Sequence, residues 1–297
     1  MNLIFDPLTQ PFFIRAMAAS AIVGLVCATV GSYMVLRGLA FMGDALSHSA
    51  FPGVVVAFML KAPFYLGASV AAVATALAIG WVTRQGKLRG DTAIGVLFAG
   101  MFALGVFLYS LIPNYVGDLL QLLFGEVLGI GLSDLISLVV LAAIVLVTVG
   151  LLWKELLYAT FDPLGAAASG LPVGKLDYLL LALIALTIVI SLQSVGIILV
   201  VAMLVTPAAT AQLVSNSFGR LVVVAGAIGI VSPIVGLYIS YWVNSASGAT
   251  IVLVETAVFI VVQLATSLVG RYRHAEAGAR AAQTSSPRYE PSEPPAQ

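Results

Sequence analysis

The sequence predicts an all-α, polytopic transmembrane helical bundle of eight or nine membrane helices, and three observations carry that fold class. Of 297 residues, 61% are apolar or aromatic and only 9% are charged, against about a quarter charged in a soluble domain. The apolar residues gather in runs near the length of about 20 that crosses a bilayer, parted by Gly, Pro and charged residues. The basic residues fall almost entirely on one side of those runs. A self-contained soluble enzyme is excluded, because so few ions cannot cover so much apolar side chain. Membrane lipid is the solvent for most of the chain. Thirteen basic and thirteen acidic residues cancel, so net charge says nothing about acidic or nucleic-acid partners.

Taken in order, Met1 to Gln10 holds Asp6 and Pro7 and no Lys or Arg before the first apolar run. It lacks the basic start of a cleavable signal peptide, so the first helix is expected to be retained. Spans are predicted near 12–36, 45–60, 63–83, 91–112, 132–153, 176–193, 196–213, 219–242 and 249–270. Asp91, before Thr92, Ala93 and Ile94, reads as an N-cap. Pro113 to Gly131, with Asn114, Asp118 and Glu126 around Leu119 to Phe124, is too short to span and reads as interfacial or re-entrant. Lys154 to Lys175 is the longest polar insertion; its Asp162-Pro163 start, small residues and Gly170 stop describe a short surface helix suited to a partner's groove, or a plain connector. Gly196 parts two apolar runs, and Thr206-Pro207 interrupts the second, as a hinge or as an inert kink. After Gly270 the composition turns to Arg and Pro with few aliphatic residues, so 271–297 is expected to be a disordered tail.

On this span list Arg37, Arg84, Lys87, Arg89, Lys154, Lys175, Arg220, Arg271, Arg273, Arg280 and Arg288 share one side, and Arg15 and Lys61 lie on the other. The positive-inside rule makes the first side the cytoplasm. The C-terminus is then cytoplasmic; the N-terminus is outside with nine spans and inside with eight.

Ionisable groups at membrane depth are costly, which makes them candidates for function. Asp44 and His48, in Gly43-Asp44-Ala45-Leu46-Ser47-His48 before Phe51-Pro52-Gly53, share a helix face four residues apart. A carboxylate oxygen and an imidazole nitrogen suit a divalent ion such as manganese, iron or zinc. Two ligands make a weak site, which a second copy of the chain would complete. The alternative is an Asp-His hydrogen bond, or Asp44 as an N-cap. Glu255, Asp118 and Glu126 could line an ion path or simply be solvated or hydrogen-bonded. Cys27 has no partner for a disulfide, and the only other histidine, His274, lies in the tail. Gly170 to Lys175 fails the phosphate-loop pattern, because Ser169 stands at its first glycine and Leu176 at its Ser or Thr. Any ATP is therefore left to another subunit.

Together, the Asp44 to His48 block with Pro52-Gly53, the Asp91-Thr92-Ala93-Ile94-Gly95 run, the Phe161-Asp162-Pro163 to Gly170 loop and the Val195 to Ala211 run resemble the bacterial ABC-type manganese/zinc/iron permease family over about residues 10–270. The resemblance implies an ABC importer permease fold: a transmembrane permease domain over 1–270, with 161–170 as the cytoplasmic helix that couples to ATPase subunits, Phe161, Asp162, Pro163 and Gly170 marking it. It implies a homodimer in the bacterial cytoplasmic membrane, two cytoplasmic ATPase subunits and an extracytoplasmic metal-binding protein, with no nucleic acid among the partners. It places Asp44 and His48 on the path of the transported Mn2+, Zn2+ or Fe2+, manganese foremost, with ATP on the partner subunit and no permanently bound cofactor. The chain itself would be no enzyme. The Pro-rich tail has no counterpart in that pattern. A proton-coupled secondary metal transporter, with Asp44, His48 and Glu255 as a relay, and a non-transporting membrane scaffold remain the rival readings.

Overall fold

The computed structural model describes residues 6–86, 89–112 and 129–284. A 3-10 turn at Pro7–Thr9 leads into α1 (Pro11–Leu36), followed by α2 (Ala40–Ser49), α3 (Phe51–Met59), α4 (Phe64–Arg84), α5 (Gly90–Ser110), α6 (Leu132–Leu151), α7 (Trp153–Phe161), α8 (Pro163–Ala168), α9 (Val173–Val214), α10 (Phe218–Val243) and α11 (Ser247–Thr284). Among the described residues there is no strand, as expected where backbone groups must be satisfied within each segment. Eight stretches are long and apolar enough to cross a membrane: α1, α4, α5, α6, two halves of α9, α10 and α11 up to Leu268.

Side-chain contacts define the two ends of the bundle. At one end Arg37, just past α1, reaches Thr160 of α7 and Asp177 of α9. Arg84, closing α4, lies over the Tyr178 ring at the same end. Phe218, opening α10, packs there on Tyr33, Trp153 and Phe161. At the opposite end Phe13 of α1 meets Tyr238 and Tyr241 of α10 edge-on. Because α1 and α4 both finish at the first end, the chain between them has to return, and α2 with α3 make that pass. Residues 40–59 at 1.5 Å per residue reach about 30 Å, the hydrocarbon thickness.

Two passes differ from simple helices. The span expected at 45–60 is two helices, because Pro52 in the first turn of α3 has no N–H to offer the His48 carbonyl. Within α9 the chain leaves the first end at Asp177 and is back there by Phe218, four residues after its second half stops. The reversal falls at Gly196, whose φ of 79° and ψ of 166° belong to a region nearly reserved for glycine. Pro207 sits inside the second half without ending it. Counting α2–α3 once and α9 twice, the described residues make nine passes, and the bundle begins and finishes at opposite ends.

The centre is α1, enclosed by α9 and α10. A Cβ on Gly24 would run into the Gly229 carbonyl, and one on Gly31 into the Leu204 carbonyl, so backbones meet directly as small residues allow in membranes. The rim formed by α5, α6 and α11 turns Phe107, Val147 and Val261 outward. Several buried hydroxyls are satisfied along their own helices: Ser32 donates to Ala28, Thr187 to Leu183 and Ser191 to Thr187. Helix α11 continues to Thr284, since 271–284 is rich in Ala and Arg, which favour helix even without a core to bury; residues 285–297 lie outside the described residues.

The close approach of α1 to α10 yields a stability prediction. Gly24→Ala should lower the thermal midpoint of the detergent-purified protein, by an overpacking cost of about 1–3 kcal/mol. Gly150→Ala, whose added methyl has nothing within 4 Å, should not lower it.

Candidate metal site

Helix α2 is short and mixed in character, and its two sides have different tasks. Met42, Gly43, Ala45, Leu46, Ser47 and Ser49 are buried, with Gly43 facing Leu204 and Met34. The two serines are hydrogen-bonded within the helix, Ser47 to the Gly43 carbonyl at 2.8 Å and Ser49 to the Ala45 carbonyl at 2.7 Å. Asp44 and His48 lie together on the other side, one turn apart. Their side chains are 55% and 22% exposed, and Asp44 Oδ1 is 3.6 Å from His48 Nε2. That separation is too long for a hydrogen bond. It suits two donors on one ion: with bonds of about 2.1 Å it corresponds to an angle of roughly 120° at a transition metal.

The imidazole is held in place by aromatic rings. Phe98 and Phe102, one turn apart on α5, each stand 5.5 Å from the His48 ring, the second edge-on. Phe51 continues the wall, 6.1 Å from Phe102. Gly105 lets α5 close on Phe51 and Pro52, and Gly53 lets α3 close on Gly67 of α4, where any side chain would collide. The Pro52-Gly53 pair therefore ends α2 immediately after the candidate ligands and seats the next helix tightly.

Among the described residues no three His, Cys, Asp or Glu side chains come together, so Asp44 and His48 form a two-donor set. Glu255 does not join them. It is fully buried in α11, with neither carboxylate oxygen hydrogen-bonded, on the same side as Cys27, whose thiol meets Ser191 at 3.4 Å. Asp118 and Glu126 lie outside the described residues. Asp91 is not an N-cap: Arg89 holds that position and Asp91 stands in the first turn of α5, where a carboxylate favours the positive end of the helix dipole.

The insertion after α6 folds as two short helices. Asp162 caps α8 by accepting the Gly165 N–H at 2.8 Å, with Pro163 following it. The Gly170 N–H bonds back to the Ala167 carbonyl at 3.0 Å and closes the turn. Phe161 and Leu164 stand 62% and 84% exposed beside the bundle end that carries Arg37 and Arg84. Sequence reasoning missed Arg37, Thr160 and Asp177, which meet there, and the ring wall of Phe98 and Phe102. The four-residue spacing of those two phenylalanines was the available signal for the wall.

The sequence signature of the ABC 3 transport family matches residues 9–266. The chain is 45% identical over 260 residues to the manganese transport system membrane protein MntC of Listeria monocytogenes, covering 87% of this chain and 92% of that one. It is 41% identical over 260 residues to the chelated iron transport system membrane protein YfeD of Yersinia pestis, covering 88% and 87%. Its fold is similar to that of PsaBC from Streptococcus pneumoniae, solved in complex with a Fab, at 36% identity and a TM-score of 0.79 over 88% of this chain and 94% of that one. With a matching family signature over residues 9–266 and relatives this similar over most of their length, the chain is a multi-pass membrane protein that belongs to the ABC 3 transport family.

Proposed function

We propose that this chain is the permease subunit of an ATP-driven importer of a divalent transition metal, with manganese as the first candidate and iron and zinc within reach of the same ligands. The observation that carries the reading is the Asp44–His48 pair: two metal-type donors on one helix face, not bonded to each other, one ring fixed by Phe98 and Phe102 and the carboxylate turned outward. The names of the relatives, a manganese and a chelated iron transport protein, point to the same cargo.

Two donors hold an ion weakly, so the pair is half of a site. A second copy facing it would bring two carboxylates and two imidazoles to one ion, and the exposure of Asp44 and its neighbour Phe41 leaves that face free for it. The bundle end holding Arg37, Arg84, Lys154 and Lys175 faces the cytoplasm by the positive-inside rule, which also puts the C-terminus there. Phe161 and Leu164 on either side of the Asp162 cap then offer apolar knobs to the cytoplasmic ATPase subunits that supply the energy. An extracytoplasmic metal-binding protein delivers the ion at the opposite end. The carboxylate must be ionised and the imidazole neutral to bind, so protons compete with the metal.

Two outcomes are expected. In proteoliposomes holding the whole assembly, Asp44→Asn and His48→Ala should each cut Mn2+ uptake at least about tenfold, the scale on which losing metal-site groups costs affinity or activity. Undiminished uptake would return the pair to a structural role, and uptake by this chain alone, driven by a pH gradient and indifferent to ATP, would favour a proton-coupled carrier. Leu164→Asp should abolish co-purification of the ATPase subunits while Mn2+ binding to the membrane subunit, read by equilibrium dialysis, stays at the wild-type level.

A further inference from the structure

One guanidinium connects the two working parts of this protein. Arg37 is the residue on which α1 ends. Its Nη1 donates to Asp177 Oδ1 at 2.7 Å, and its Nε donates to Thr160 Oγ1 at 3.1 Å. Thr160 is free to accept because its own hydroxyl proton goes to the Leu156 carbonyl at 2.7 Å. The pair is well shielded, with Arg37 at 16% and Asp177 at 30% side-chain exposure.

What these three residues adjoin gives the contact its meaning. Thr160 is in the last turn of α7, next to exposed Phe161 and the Asp162 cap of α8. Asp177 is in the first turns of α9, in the half that precedes the Gly196 reversal; Leu204, which faces Gly43 of α2, belongs to the half that follows it. On the other side Arg37 is separated from α2 only by Gly38, at φ +68°, and Leu39, and α2 carries Asp44 and His48. The rigid, planar fork of arginine fixes both partners at once in a way that the single ammonium of lysine does not. A shift of α7 and α8 therefore pulls on the root of α2 through a short, stiff path, with Gly38 as the joint that turns. The fork is also incomplete: Nη2 is buried and makes no hydrogen bond. A buried donor left unmade is costly, and it suits a group that gains an acceptor when the elements around it rearrange.

Resting on the permease reading above, we propose that Arg37 is a positioning residue for transport: it couples movement of α7–α8, where the ATPase subunits dock, to the metal-bearing helix α2. It touches neither metal nor nucleotide. A contact that merely held the fold would affect stability and leave the ratio of ions moved to ATP hydrolysed alone.

The test uses the complete assembly in proteoliposomes with Mn2+ as cargo, and reads ions imported per ATP hydrolysed, Mn2+ bound, and ATPase subunits retained. Arg37→Lys keeps a charge for Asp177 but loses the fork, and Thr160→Val removes one arm. Both should lower the ratio at least about fivefold, the lower end of coupling between distinct sites, with bound Mn2+ and retained ATPase unchanged. Joining Arg37→Asp to Asp177→Arg should recover part of the ratio lost in either single change, which also covers a single variant that folds poorly. A wild-type ratio in Arg37→Lys and Thr160→Val, or a fall in import matched by equal loss of bound Mn2+ or ATPase, would overturn the inference. Failure of the wild-type assembly itself to import Mn2+ would instead overturn the permease reading.

Discussion

The cost of an unpaired backbone group in hydrocarbon governs this molecule more than any single contact does. Each unsatisfied N–H or carbonyl at membrane depth costs several kcal/mol, so the passes are helices and their breaks are confined to the protein's interior. Both interruptions obey this. The α2–α3 junction at Ala50 and Phe51 is buried, and Gly196 lies between buried Val195 and Ile197. Placing a break inside the bundle has a second effect: it ends α2 one residue after His48, so the candidate ligands sit on a short segment that can be aimed independently of a membrane-length rod.

The same constraint sorts the polar side chains. Ser32, Ser47, Ser49, Thr187 and Ser191 return their hydroxyl protons to carbonyls four residues back, and so disappear electrostatically into the helices. Asp44 and His48 have no such internal solution: they are too far apart to satisfy one another and remain partly exposed. Arg37 is solved in two of its arms by residues far along the chain. Glu255 is fully buried with both carboxylate oxygens unbonded, and the transport reading does not draw on it.

Much of this was legible in the sequence, because composition and run length are strong signals in a membrane protein. The passes fall where apolar runs predict them, and Asp44 with His48 stood out because ionisable residues are rare among apolar neighbours. What was not legible has physical reasons. The break between α2 and α3 hides in an apolar run whose only mark is Pro52, and a proline can kink a membrane helix as readily as end it. The Asp91 position turned on a shift of two residues at a helix start, within the ambiguity of any boundary. The Arg37–Asp177 contact joins residues 140 apart in sequence, and no local pattern encodes such a partner.

The central claim is that each chain supplies half of a shared metal site. Pulsed electron paramagnetic resonance of Mn2+ bound to the purified assembly, with histidine nitrogens labelled as 15N, reads it directly. The expected result is one tightly bound ion for each pair of membrane subunits, coupled to two equivalent imidazole nitrogens that vanish in His48→Ala. An ion bound to each chain separately with a single imidazole, or coupling that survives His48→Ala, would contradict it.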